Sequence, residues 1–293
     1  MRNPLSDRER WDRNVRWLGE IAQDKIFRTV LALCGCGGIG AVFAQTAMHL
    51  GFSNFLLVDP DRVELSNFNR LLGVRGSDVG RYKVEFLEQT LLSFNPRAVV
   101  KTFPMAFQEV RNAPGTDAED GQPGPAASSP LEEAEVLVGA LDNNLSRLAL
   151  QLFAAQSLKP LLDLGSGIVL SPTGTVQEKG AQVRFYVPGG PCLLCQGLKV
   201  RGSSETLEQA RRGAGYVQDT ELSPPSAVTL NTAIASMGLD LLVRYLINPS
   251  AHLPRYLYYD ELKYRLLQIE ARSDPHCPIC GQNGIEKIAL PKK

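Results

Sequence analysis

A cluster of glycines between an apolar run and a segment of helical length constrains this chain more than any other feature. The cluster reads Gly35-Cys36-Gly37-Gly38-Ile39-Gly40, which has the spacing G-x-G-x-x-G, and it follows the apolar residues 29–34. Glycines permit a tight turn there and let an anion approach the backbone N–H groups at the start of the next helix. Strand, turn and helix in this order predict a unit that binds nucleotide phosphates, without saying which nucleotide.

Strand-like and helix-like segments alternate through the first half of the chain. The expected strands are residues 29–34, 54–58, 98–103, 135–141 and 160–164, and the expected helices are residues 38–50, 83–92 and 145–157. Such alternation predicts an α/β fold, a Rossmann-type mostly parallel sheet with helices on both faces. Residues 29–58 carry no formal charge and could span a bilayer by length, but their glycines and polar residues fit strand, turn, helix and strand better.

The second half has a different pattern. Residues 176–187, 255–259 and 264–270 are typical of antiparallel strands, so the sheet is expected to continue into a smaller antiparallel extension. Ser226 is expected to cap a long apolar helix that ends at Ile247, and residues 205–212 suggest a short helix.

We expect one domain over residues 1–293. Its parts are a helical arm (1–28), a nucleotide-binding half (29–165) and a second half (166–293). Residues 112–130 are rich in Pro, Gly, Ala, Ser and Asp and have no apolar periodicity, so we expect a mobile insertion there, with partner docking as the alternative.

Charge excludes several classes of function. The chain has 31 basic and 31 acidic residues, so it lacks the positive excess that nucleic acids and membrane surfaces attract. Five of the first ten residues are charged, where an export signal would have its apolar run. We therefore expect a cytoplasmic protein that binds neither nucleic acid nor membrane.

The six cysteines divide into two groups. Cys192, Cys195, Cys277 and Cys280 form two C-x-x-C pairs. In a chain without an export signal such pairs favour zinc over disulfides, and four thiolates would complete a tetrahedral structural site. Cys34 belongs to a core strand. Cys36 lies in the glycine loop, where a helix N-terminus could lower its pKa, although packing is the preferred interpretation for both thiols.

Charged residues after the second strand narrow the choice of nucleotide chemistry. Asp59 ends that strand, where a carboxylate can accept hydrogen bonds from ribose hydroxyls. Arg70 and Lys83 would place cations near the nucleotide, as neutralising a triphosphate requires. Each residue taken alone could instead be a turn cap or a solvated surface charge.

Together these motifs resemble the ThiF/MoeB/HesA family, relatives of the ubiquitin-activating enzymes. The resemblance rests on Arg10-Trp11-Asp12-Arg13, the glycine loop, the run from Asp59 to Arg70, Lys83, Leu141-Asp142-Asn143 and both C-x-x-C pairs. It extends from about Arg10 to Cys280. It implies that the chain uses ATP to adenylate the C-terminal carboxylate of a partner protein, giving an acyl-adenylate and pyrophosphate.

The resemblance also implies a role for each matching residue. Asp59 would bind the ribose of ATP, Asn67, Arg70 and Lys83 its phosphates, and Asp142 a magnesium ion, while Arg13 would reach the ATP of a neighbouring subunit in a homodimer. The nucleotide-binding set is completed by Gly35, Gly37, Gly38, Gly40 and Asp61. The family usually has Gln after both arginines, whereas Asn14 and Leu71 stand here.

The implied partner is a ubiquitin-like or sulfur-carrier protein with a free C-terminal carboxylate, expected to end in Gly-Gly. It is expected to bind the half of the chain that also carries the zinc cysteines, residues 166–293. Many relatives carry a further cysteine after the first C-x-x-C pair, but residues 214–226 contain none. A downstream acceptor protein is therefore expected to supply the nucleophile, because this chain has no evident catalytic cysteine.

Three alternatives remain. Relatives that activate a peptide or a tRNA base share these motifs. An NAD-dependent oxidoreductase would explain the glycine loop and Asp59, but it leaves Arg70, Lys83 and Asp142 unused and finds no evident acid–base among His49, His252 and His276. A scaffold subunit without activity would typically have lost the phosphate-binding set.

Overall fold

The structure is a computed structural model that describes residues 5–112, 129–200 and 225–289. Within these residues an eight-stranded sheet has the order β3-β2-β1-β4-β5-β6-β7-β8. The strands are β1 (Val30–Cys34), β2 (Asn54–Val58), β3 (Val99–Phe103), β4 (Val136–Gly139), β5 (Leu161–Leu170), β6 (Val176–Tyr186), β7 (Tyr256–Asp260) and β8 (Arg265–Gln268). The described helices are α1 (Leu5–Leu18), α2 (Glu20–Arg28), α3 (Gly38–Leu50), α4 (Lys83–Phe94), α5 (Phe107–Asn112), α6 (Asn144–Gln156), α7 (Val228–Ile247) and α8 (Ile285–Ala289).

The predicted fold class is confirmed. Strands β3, β2, β1, β4 and β5 run parallel, and β5 to β8 continue as an antiparallel extension. The chain leaves β1 toward β2 and β3, then crosses to β4 on the other side of β1. This reversal opens a crevice at the carboxyl ends of β1 and β4, which is where open α/β sheets bind ligands.

Helices cover both faces of the parallel sheet. One buried cluster joins α3, α4 and α7 to the sheet, and a second joins α5 and α6 to the other face. Strands β1 and β4 are apolar almost throughout because neither of their faces reaches water. The uncharged residues 29–58 thus form β1, α3 and β2, as expected.

Among the described residues, α7 has the length and the mean hydropathy, 1.3, of a membrane-spanning helix. However, 56% of its apolar window is buried inside the protein, where α7 packs against α3, β5 and β6. These contacts make α7 a core helix of the second half.

Two expectations about local structure were wrong. Ser226 does not cap the long helix, since α7 begins at Val228 after Ala227 and has no side-chain cap. The Ser226 hydroxyl instead accepts a hydrogen bond from the Asn231 amide, at 3.1 Å. Strand β5 runs on to Leu170, six residues beyond the expected end at Leu164 (170 minus 164), because β6 pairs with it along that length.

The expected insertion, residues 112–130, falls mostly outside the described residues, as does the expected helix at 205–212. At the end of the insertion, Ser129 and Pro130 are buried, and the Ser129 hydroxyl donates to the carbonyl of Val110 at 3.2 Å. These last two positions therefore belong to the packed structure.

Candidate active site

A cavity of about 270 Å³ lies in the crevice between β1 and β4. It is lined by Cys34, Gly35, Gly37, Gly38, Ile39, Val58, Asp59, Pro60, Asp61, Arg70, Lys83, Ala106, Phe107, Gln108, Ala140, Leu141, Asp142, Ser146, Arg147, Ser166, Ser226 and Asn231. The structure thus brings most of the predicted nucleotide-binding residues together around one volume, although they come from the ends of several elements.

The glycine loop requires glycine at two positions for steric reasons. Gly35 has a φ of 96°, and a Cβ there would collide with the carbonyl oxygen of Ala140. A Cβ at Gly40 would collide with the carbonyl oxygen of Gly35. The loop can therefore lie against the end of β4 only without these side chains. Gly40 contributes this close packing and does not line the cavity.

Helix α3 begins directly behind this loop. Its N-cap is Gly37, which offers no side chain to the N–H groups of the first turn. Gly37, Gly38 and Ile39 line the cavity, so the free N–H groups of this first turn lie beside it. The helix dipole adds partial positive charge at the same place. Such an arrangement suits a phosphate group.

Asp59 links the glycine loop to the chain that follows β2. Its side chain accepts the backbone N–H of Cys36 at 2.6 Å and that of Asp61 at 2.8 Å, and the residue is 5% exposed. Burial raises the pKa of Asp59, while Lys83 and the two backbone donors counteract part of that rise. A carboxylate has about four lone pairs, so these two bonds leave acceptor capacity for a ligand hydroxyl.

Lys83 and Asp61 form an ion pair at the cavity. The Lys83 Nζ lies 2.6 Å from Asp61 Oδ2, and the lysine side chain is 13% exposed. Burial alone would lower the pKa of Lys83, but the attraction of Asp59 and Asp61 outweighs it and raises the pKa above its usual value. Lys83 is therefore a fixed cation.

Arg70 supplies a second cation next to the glycine loop. Its Nη1 donates to the carbonyl of Ser66 at 2.7 Å and to Asn69 Oδ1 at 3.0 Å. Its aliphatic stem lies beside Gly38, where an added Cβ would be 3.2 Å from the Arg70 Cβ. The guanidinium is thus held near the start of α3.

The remaining predicted residues differ in position. Asp142 is an exposed residue after β4, lines the cavity and accepts a hydrogen bond from the Asn143 amide at 3.3 Å. Asn67 is buried in the turn before Arg70, where its amide donates to the Ser66 hydroxyl at 3.1 Å, and it does not line the cavity. Arg13 is exposed on α1, outside the cavity of its own chain.

Several polar cavity residues were not predicted as site residues, among them Arg147, Ser166 and Asn231. Asn231 is 2% exposed and accepts the Ser166 hydroxyl at 2.8 Å, which joins α7 to β5. Arg147 lies in the first turn of α6 and is 7% exposed. An isolated amide in an apolar helix was a usable signal for Asn231. Ser166 came to the cavity only through the fold, because β5 extends past the crevice.

Cys34 and Cys36 are fully buried, in agreement with the packing interpretation. Burial, assisted by the negative charge of Asp59, raises the pKa of the Cys34 thiol to about 12 and that of Cys36 well above its usual value. The suggestion that the pKa of Cys36 is lowered is wrong, because burial and the negative charge of Asp59 outweigh the lowering effects of Lys83 and of the backbone hydrogen bond with Val58.

Four sulfurs cluster at a second place. Cys192 and Cys195 follow β6, Cys277 and Cys280 precede α8, and all four Sγ atoms lie within 4.8 Å of one another. The pairs Cys192–Cys277 and Cys195–Cys280 are 3.5 Å apart, much too far for a disulfide. Zn–S bonds of about 2.3 Å in a tetrahedron separate sulfurs by about 3.8 Å, so the cluster has the size and the donor set of a closed zinc site.

Fold and cavity together define an α/β protein with a Rossmann-type sheet and a cavity that has two cations beside its glycine loop. The profile of the ThiF family matches residues 11–279, and the chain belongs to this family. It is 24% identical over 271 residues to the SAMP-activating enzyme E1 of Haloferax volcanii, covering 92% of this chain and 87% of that protein. It is also 24% identical over 276 residues to the sulfur carrier protein adenylyltransferase of Thermus thermophilus, covering 92% and 89%.

The fold is also found among solved structures. The crystal structure of E. coli MccB with ATP superposes with a TM-score of 0.68 at 18% identity, covering 92% of this chain and 74% of that one. MccB with MccA-N7isoASN gives a TM-score of 0.70 at 18% identity, covering 94% and 75%. At this identity the likeness shows a shared fold.

The steric account of the glycine loop predicts unequal effects for two neighbouring substitutions. Gly40→Ala should lower the free energy of unfolding by about 1–3 kcal/mol, the range for overpacking, because its Cβ meets the Gly35 carbonyl. Gly37→Ala should change it by less than about 1 kcal/mol, since no atom lies within 4 Å of its Cβ position. Denaturant unfolding of both variants measures this, and equal losses would contradict the account.

Proposed function

We propose that this protein is an ATP-dependent adenylyltransferase that activates the C-terminal carboxylate of a ubiquitin-like or sulfur-carrier protein. One observation carries the proposal: Asp59, Arg70, Lys83 and Asp142 converge on one cavity at the glycine loop of a ThiF-family chain. Two relatives of matching length are a SAMP-activating enzyme and a sulfur carrier protein adenylyltransferase, which supports this substrate class.

The proposed reaction joins two anions, and the cavity has groups suited to that problem. The partner's carboxylate oxygen attacks the α-phosphorus of ATP, the bond to the β-phosphate oxygen breaks, and pyrophosphate leaves with the electron pair. Arg70, Lys83 and the first turn of α3 would offset the charge of the phosphates. Asp59 would accept hydrogen bonds from the ribose hydroxyls. Fixed donors in a sheltered cavity act without the reorganisation that water would need.

Magnesium would be held at Asp142. The residue fits because it offers a hard oxygen at the cavity wall, and magnesium in nucleotide sites typically takes one or two carboxylates together with phosphate oxygens. The bound ion would neutralise the charge that develops on pyrophosphate. Asp61 is a second carboxylate at the cavity wall, and it is paired with Lys83.

The proposed assembly is a homodimer in which Arg13 would act on the nucleotide of the other copy. If this exposed arginine contacts phosphates, it has to reach the cavity of another copy, because it lies outside its own. Trp17 is 59% exposed and Ile21 is 91% exposed on the same N-terminal helices, and apolar side chains of this size favour a covering partner.

The alternatives have less support. An NAD-dependent oxidoreductase would need an acid–base near the nicotinamide, but all three histidines are described and none lines the cavity. Activation of a peptide carboxylate remains the second candidate, favoured by the fold shared with MccB bound to MccA-N7isoASN. Activation of a tRNA base has no observation of its own in the fold.

The acceptor of the activated acyl group would come from another protein in the cytoplasm. Residues 214–224 of the expected acceptor loop lie outside the described residues, and residues 214–226 contain no cysteine. Cys34 and Cys36 are both fully buried, so neither of these thiols near the cavity is an accessible nucleophile.

The proposal predicts ATP–pyrophosphate exchange that requires magnesium and a partner with a free C-terminal carboxylate. Asp142→Ala should abolish exchange, and Arg70→Ala should cost transition-state stabilisation on the order of 3 kcal/mol. Arg75→Ala is the matched control, since Arg75 is exposed and lies outside the cavity. Exchange is followed with labelled pyrophosphate. Tight NADH binding without ATP binding would overturn the assignment.

Subunit mixing tests the action of Arg13 across a dimer. Arg13→Ala and Arg70→Ala should each be inactive as homodimers. Mixed dimers would contain one complete site, so equal amounts should recover about a quarter of the wild-type activity after subunit exchange. If mixed dimers form but no activity returns, Arg13 does not act across the interface.

The sulfur cluster predicts one zinc ion per chain in protein purified without chelator. Serine at Cys192, Cys195, Cys277 or Cys280 should release the metal and lower the melting temperature, because binding of the ion contributes to folding. Cys34→Ala should retain the full metal content, since Cys34 ends β1 and is not one of the four clustered sulfurs. Elemental analysis of the variants measures this, and a metal-free wild-type protein would refute the site.

A further inference from the structure

A buried charge cluster at the wall of the cavity has no part in the function proposed above. It consists of Arg147 on α6, Asp163 on β5 and Arg184 on β6, which are 7%, 1% and 6% exposed. Asp163 Oδ2 lies 3.4 Å from Arg147 Nη1 and 3.9 Å from Arg184 Nη1. Charged groups are costly to bury, so a cluster of this kind needs a reason.

Arg147 makes contacts that Arg184 does not. Its Nε donates to the carbonyl of Leu141 at 2.9 Å, and its Nη2 donates to the carbonyl of Leu164 at 3.4 Å. Its guanidinium therefore joins the chain after β4 to β5. Arg184 instead lies over the ring of Tyr256, 4.9 Å from the ring centroid, farther along the sheet.

One glycine on β5 makes room for this cluster. At Gly165 an added Cβ would lie 2.5 Å from Arg147 Nη2. The guanidinium thus occupies space that a side chain at Gly165 would take.

The contact with Leu141 has a direct geometric consequence. A peptide unit is planar, so the carbonyl of Leu141 and the N and Cα of Asp142 lie in one plane. A charged donor on that carbonyl fixes the orientation of the plane. It therefore limits the directions in which the Asp142 carboxylate can point into the cavity.

We propose that Arg147 is a positioning residue for Asp142, acting through the Leu141 carbonyl. This inference rests on the proposed function, in which Asp142 holds magnesium. Magnesium demands near-ideal octahedral geometry, so its affinity depends on how firmly its carboxylate ligand is oriented. Groups that orient metal ligands without touching the metal typically change affinity by about 10–100-fold when removed.

The experiment measures magnesium-dependent binding of an ATP analogue with a methylene group between the α- and β-phosphates. Calorimetry gives the magnesium concentration at half-saturation without any partner protein or turnover. Arg147→Lys retains the charge but loses the fork that holds Leu141 and Leu164. It should raise the half-saturating magnesium concentration by about tenfold. Binding of the analogue without magnesium should change by less than about twofold.

Arg184→Lys is the matched control because Arg184 shares Asp163 but does not contact Leu141. It should leave the magnesium dependence within about twofold of wild type, whatever it does to stability. In an Asp142→Asn background, adding Arg147→Lys should cause no further shift, since both act on the same ligand.

Should Arg147→Lys fail to fold, Gly165→Ala provides the second test, because its Cβ displaces the guanidinium and should shift the magnesium dependence in the same direction. An unchanged magnesium dependence in a folded Arg147→Lys or Gly165→Ala protein would overturn the inference. So would an equal shift in Arg184→Lys. A wild-type protein that binds magnesium and the analogue as expected but exchanges no pyrophosphate with any carboxylate partner would instead refute the proposed function.

Discussion

The close contact between the glycine loop and the end of β4 is the constraint on which the rest of the site depends. The backbone at Gly35 lies against Ala140, and Gly40 lies against the carbonyl of Gly35, with no space for a Cβ at either glycine. This contact holds the start of α3 beside the carboxyl end of β4. The donors of the α3 first turn and the side chain of Asp142 therefore face one cavity.

Hydrogen bonds and an ion pair hold the charged side chains of the cavity in place. Asp59 accepts two backbone N–H groups and carries little exposed surface, so its carboxylate stabilises the loop before any ligand arrives. Lys83 is held by Asp61, and Arg70 by backbone and amide oxygens of its own turn. Because their positions are set by these contacts, the cations need little reorganisation when a polyanion binds.

The antiparallel extension is joined to the C-terminal segment by more than the sulfur cluster. Glu286 on α8 is fully buried, and it accepts the Tyr186 hydroxyl at 3.0 Å and the Gly189 N–H at 2.6 Å. Both donors come from the end of β6 and the turn that leads to Cys192. A buried carboxylate without such partners would be costly, so these hydrogen bonds and the four sulfurs specify the same docking position.

The sequence alone determined the βα order, the Rossmann-type sheet, the glycine loop and the two C-x-x-C pairs. These follow from local signals: apolar runs, glycine spacing and cysteine spacing each have one dominant physical cause. The resemblance to the ThiF/MoeB/HesA family pointed to Asp59, Arg70, Lys83 and Asp142. The structure places all four residues at one cavity. The ligand-binding roles of these four residues stay predictions, as do those of Arg13 and Asn67, neither of which lines that cavity within one chain.

Only the tertiary structure decided which distant side chains meet. Arg147 donates to a carbonyl six residues before it, but its place between β4 and β5 also depends on Gly165 lacking a side chain. Ser166 and Asn231 are 65 residues apart and meet because β5 extends past the crevice and α7 packs across it. The burial of Cys36 likewise reversed the pKa shift expected from the helix dipole. Local sequence does not specify such contacts. Burial and pairing between distant segments arise only when the sheet and its helices pack around the cavity.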